Sequence, residues 1–64
     1  PPSVVRYLSK TLTIRNGKYG HYIFYKTDEM TKPKFLQIKK YEGDYMEDDV
    51  EAVIDWITST YLSK

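Results

Sequence analysis

Residues 12–23 read Leu12-Thr13-Ile14-Arg15-Asn16-Gly17-Lys18-Tyr19-Gly20-His21-Tyr22-Ile23, and the architecture of this 64-residue chain turns on them. Leu12 and Ile14 alternate with Thr13 and Arg15, the period-2 pattern of a strand with one buried face. Asn16-Gly17 follows, the strongest short hairpin signal. Gly17 and Gly20 bracket Lys18-Tyr19 as a tight turn, and the aromatic-rich stretch Tyr19–Tyr25 reads as the returning strand. A loop of two or four residues places Ile14 on one face with His21, Ile23 and Tyr25. An odd loop or a bulge exchanges the two faces within the hairpin.

Downstream, residues 26–33 are polar and end at Pro33, which suits a loop. Phe35–Lys39 alternates again, with Leu36 and Ile38 on one side and Phe35, Gln37 and Lys39 on the other. Tyr41–Glu47 reads as a second loop around Gly43. Asp48 stands three residues before Glu51, an approximation to a capping box. Val50, Val53, Ile54, Ile57 and Tyr61 then span an arc of roughly 100° on a helix, and Trp56 lies just outside it as an edge seal. Upstream, Val4, Val5, Tyr7 and Leu8 fit a fourth strand or a short helix, and periodicity does not choose.

The expected fold is α+β, a small antiparallel sheet of three or four strands covered on one face by a C-terminal amphipathic helix. Leu12, Ile14, Ile23, Tyr25, Leu36 and Ile38 would meet the helix. Thr13, Arg15, Tyr22, Phe24, Phe35, Gln37 and Lys39 would remain on the opposite face, since one helix covers one side of a sheet.

Composition bounds the rest. Apolar residues make up 41% and charged residues 30%, a globular balance, and the length allows a single small domain over residues 1–64. The opening Pro1-Pro2-Ser3, without methionine, is expected of a domain cut from a longer protein. No apolar run approaches the ~20 residues of a membrane span, and no apolar stretch follows a basic start as in a secretory leader. The absence of cysteine excludes disulfides and thiolate metal sites, and one histidine does not make a multi-histidine centre.

The net charge of +1 conceals a division. Residues 1–40 carry nine cations against two carboxylates, and residues 41–64 carry one lysine against seven carboxylates. A basic half of +7 points to a polyanion site, the alternative being internal neutralisation by the acidic half. Seven of the ten aromatic residues are tyrosines. A buried phenol needs a hydrogen-bond partner, so this excess points to surface aromatics.

Rings interleaved with cations on an open sheet suit single-stranded nucleic acid, whose bases stack while Lys and Arg attract phosphates. The candidate binding residues are Arg15, Lys18, Tyr19, Tyr22, Phe24, Lys26, Phe35 and Lys39. Contact with another domain or protein is the competing use of the same face. Catalytic readings are weak. Glu47, Asp48, Asp49 and Glu51 fit a solvated helix N-terminus without a metal. His21 has no acid or nucleophile at a fixed spacing and is expected to be a strand residue bonded to backbone. Gly17-x-x-Gly20 precedes a strand, not the helix a phosphate loop requires.

Gly17, Lys18, Tyr19, Gly20 and Tyr22 match, position by position, the Gly-(Arg/Lys)-(Tyr/Phe)-Gly-x-(Tyr/Phe) turn of the C-terminal repeats of type IA DNA topoisomerases. The later order over residues 11–62 also resembles those repeats: a Lys-rich strand, an acidic link and a closing helix. The resemblance is to the metal-free form, and to the form found in topoisomerases of large DNA viruses. It implies a non-catalytic accessory domain that binds single-stranded DNA through Lys18, Tyr19 and Tyr22, with Arg15 beside them. His21, where proline is frequent, and the insert Lys26–Pro33 depart from the pattern. The implied partners are DNA and other domains of a parent protein, with no metal, no cofactor and no membrane, in an intracellular setting. The alternative is a protein-interaction module docking a partner on its sheet or its acidic helix.

Overall fold

The computed structural model describes residues 3–63. Pro1 and Pro2, which prompted the expectation of an excised domain, lie outside the described residues, as does Lys64, the one cation of the acidic half. Strand β1 spans Ser3–Tyr7, β2 Leu12–Gly17, β3 Gly20–Tyr25 and β4 Lys34–Leu36. Helix α1 runs over Val50–Ile57 and continues into a π-helical turn, Thr58–Leu62. The strands form one antiparallel meander in the order β1-β2-β3-β4, and the fold is α+β as the sequence predicts.

The central hairpin sets the faces. Gly17 pairs with Gly20, so Lys18 and Tyr19 form a two-residue loop. Asn-Gly favours a mirror-image turn whose central residues have positive φ. Asn16 and Gly17 instead end β2, and among the described residues only Gly20 has positive φ, at 108°. A glycine in the position after the corner is what a turn of ordinary hand needs. The even loop keeps the parity: Ile14 pairs with Ile23 and Ile23 with Leu36, while Thr13 pairs with Phe24 and Phe24 with Phe35.

The core lies on the Ile14 face. Leu8, Leu12, Ile14, Ile23 and Ile38 of the sheet side are buried with Val53 and Ile57 of the helix. Val50, Ile54 and Tyr61 pack around them, completing the apolar arc. Trp56 takes its edge position between Tyr41 and Tyr61, with ring centroids 5.4 and 5.8 Å away in edge-to-face contact. The molecule measures 31 × 30 × 18 Å, so its thin dimension holds one sheet and one helix layer.

Four sequence expectations are resolved or corrected. The N-terminal segment is a strand. A bulge between Val4 and Arg6 sets Val4 opposite Arg15 and Tyr7 opposite Thr13, and Val5 packs toward the core. The inserted residue turns period 2 into an i, i+3 spacing, which is why the pattern also looked helical. Strand β4 stops at Leu36 rather than reaching Lys39. The Gln37 carbonyl accepts the Tyr61 hydroxyl at 2.8 Å, and the Ile38 carbonyl accepts the Tyr41 amide in a turn.

The Asp48–Glu51 capping box does not form. Asp49 is the N-cap, without a side-chain bond, and the Asp48 carboxylate accepts the Tyr41 hydroxyl at 2.5 Å. That bond, followed by desolvation and the Asp48 charge, raises the Tyr41 phenol above its ordinary pKa. His21 is a strand residue of β3 as expected, but it bonds a side chain, not backbone: its Nδ1 and the Tyr45 hydroxyl are 2.8 Å apart, with the rings edge to face. Arg6 Nη1 donates to the Tyr45 carbonyl at 2.8 Å, so one tyrosine fixes the acidic loop to both β1 and β3.

Candidate nucleic-acid interface

The sheet face opposite the helix carries two rows of side chains across the strands. One row is Tyr7, Thr13, Phe24 and Phe35, and the next is Val4, Arg15 and Tyr22. Neighbouring strands are ~5 Å apart, so each row is a chain of side-chain contacts. Tyr22 and Phe24 each meet Phe35 edge to face, at centroid distances of 5.6 and 5.9 Å. Phe35 is 65% exposed, Tyr7 62% and Val4 51%, a concentration of solvent-facing apolar surface on one side of a small domain.

Cations frame these rings. The Arg15 guanidinium carbon lies 3.5 Å from the centroid of Phe24, and Arg15 Nε donates to Thr13 Oγ1 at 3.1 Å. Lys18 Nζ stands 5.6 Å from the centroid of Tyr19, whose ring at the hairpin tip is 87% exposed. Among the described residues, every hydrogen bond made by a cationic side chain goes to a neutral oxygen. The acidic half does not consume the basic half in such bonds.

Two shallow grooves gather all eight candidate residues. Lys18, Tyr19, Tyr22, Phe35 and Lys39 line one of about 570 Å³, at the hairpin end where β4 has stopped. Arg15, Phe24 and Lys26 line another of about 240 Å³, together with Lys10 and Thr13. Lys39 reaches its groove from the segment beyond β4, not from a strand position. Sequence reasoning missed Tyr7 and Lys10. The bulge hid Tyr7 by breaking strand alternation, and Lys10 sits in the β1–β2 connection, where no periodicity operates.

Gly17 admits the Tyr22 ring. A Cβ at Gly17 would stand 2.8 Å from Tyr22 Cε1, so the small residue clears space for the ring at the groove. Asp28 is the one carboxylate at the grooves among the described residues, lining the second. Glu51 and Asp55 are exposed on α1, and Asp44 and Glu47 lie in the loop tied down by Tyr45. No group of three or more His, Asp or Glu side chains converges as metal ligands do among the described residues. No helix among them is long and apolar enough to cross a membrane.

Comparison with protein-family models, with curated proteins and with solved structures finds no match in any of the three.

Proposed function

We propose that this chain is a non-catalytic DNA-binding module that holds single strands on the sheet face opposite its helix. This is also the role implied by its resemblance to topoisomerase C-terminal repeats. The observation that carries the reading is the cluster of Tyr22, Phe24 and exposed Phe35 on that face, with Phe35 edge to face against both other rings and Arg15, Lys18 and Lys39 around them. Rings held by one another stay ordered without a ligand, which lowers the entropy cost of stacking bases on them. The cations supply a phosphate attraction that does not depend on sequence. Duplex DNA keeps its bases stacked inside and offers none to the rings.

Titrating labelled single-stranded and duplex oligonucleotides at two salt concentrations tests the reading. The expected result is tighter binding of the single strand, weakened by salt. Salt-insensitive binding, or a preference for duplex, contradicts it. The solvent-facing Val4 and Tyr7 favour a second reading, in which a protein partner covers the same face. Replacing Lys18 and Lys39 by Glu separates the two uses. Such a variant loses DNA, whereas a partner held by the apolar surface of Val4 and Tyr7 is retained.

A further inference from the structure

On the reading that this face binds single-stranded DNA, we infer that Arg15 is a base platform, with Phe24 as its support rather than a stacking surface in its own right. The subsite would take one unpaired nucleobase against the outer side of the Arg15 guanidinium, with a neighbouring phosphate on Lys10 or Lys26.

The geometry is specific. A guanidinium carbon 3.5 Å above the ring centroid leaves no room for a nitrogen to point down at the ring. The guanidinium plane therefore lies on the Phe24 face, and a base cannot occupy that side of the ring as well. Guanidinium planes stack on aromatic faces and on nucleobases alike. Two contacts hold the plane in place. The ring beneath attracts the cation, and the Nε donation to Thr13 Oγ1 at 3.1 Å restricts rotation of the side chain.

Thr13 is buried and sits opposite Phe24 in the ladder, so both supports are anchored in the same central row of the sheet. Arg15, Phe24, Lys10 and Lys26 line one groove of about 240 Å³ together with Asp28, which brings a flat cation and two flexible ammonium groups together beside a single carboxylate. The guanidinium has five N–H donors, and one of them bonds within the protein.

Lysine at position 15 would keep the charge and lose the plane, which allows a direct test with the whole chain. The probes are a single-stranded DNA of mixed sequence and the same strand with abasic residues throughout. Both are titrated into the wild type, Arg15→Lys and Phe24→Leu, at several salt concentrations. On the intact strand, Arg15→Lys is expected to bind about tenfold more weakly, the scale of one lost stacking contact, with an unchanged salt slope. On the abasic strand it should match the wild type. Phe24→Leu, which leaves the guanidinium unsupported, should reproduce the Arg15→Lys loss, and the double variant should lose little more.

An equal loss on both strands would make Arg15 a phosphate ligand and overturn the platform. So would full retention of affinity by Arg15→Lys. Both results leave the DNA-binding reading standing. If the wild type binds neither strand, the reading itself fails and the platform with it. Amide spectra of each variant in the absence of DNA verify that the fold is kept.

Discussion

Gly20, at a φ of 108°, occupies backbone space that L side chains rarely adopt. Gly20→Ala is expected to cost roughly 1–2 kcal/mol in urea denaturation, through backbone strain alone, because no atom crowds a Cβ there. Gly17 is different. Its neighbour is the far end of the Tyr22 ring, so Gly17→Ala should displace that ring while the fold survives, and oligonucleotide affinity should fall more than stability does. Tyr41 supplies a pH signature. Its folded-state pKa is raised above 10.0 by the bond to Asp48, so the contribution of that bond is fully present below about pH 10 and is lost as pH rises through the folded value. A pH series of denaturation curves should show this alkaline loss in the wild type and its reduction in Tyr41→Phe.

Helix α1 starts without a side-chain cap, and Asp48, just ahead of its N-cap Asp49, is committed to a tyrosine instead. Asp48→Ala and Tyr41→Phe should therefore be non-additive in a double-mutant cycle, whereas a capping role would make them independent. The helix holds the sheet through few residues. Ile57→Ala should cost about 2–5 kcal/mol in the same denaturation assay, comparable to the whole stability of a domain of this size. The elements also show where local reading works. The central hairpin, the 26–33 loop and the apolar arc of the helix were legible because period 2, period 3.6 and glycine placement are local signals. The β1 bulge, the early end of β4 and the Tyr41–Asp48 bond were not. Each depends on a partner outside its own element: Arg15 opposite Val4, Tyr61 on Gln37, and Tyr41 of the preceding loop taking Asp48 from its cap. The candidate face was legible through parity alone. The covering of Phe24 by Arg15 was not, because pattern reading assigns a face and does not say which side chain lies on which.

At the scale of the molecule, the charge division of the sequence becomes a division in space. Arg15, Lys18, Lys26 and Lys39 line the grooves, while the carboxylates of residues 41–55 lie in the loop and helix that follow the sheet. Such a separation steers a polyanion toward one side and away from the other. Truncating Phe35, 65% exposed, should leave stability nearly unchanged, yet Phe35→Ala should weaken single-strand binding about tenfold, by the loss of one stacking ring. The central claim is that the sheet face opposite the helix is where the strand binds. Amide chemical-shift mapping during titration with a single-stranded oligonucleotide tests it most directly. The account predicts shifts concentrated at Arg15, Tyr22, Phe24, Phe35 and Lys39, with Glu51 and Asp55 unmoved. Shifts confined to the helix, or none at saturating oligonucleotide, would contradict it.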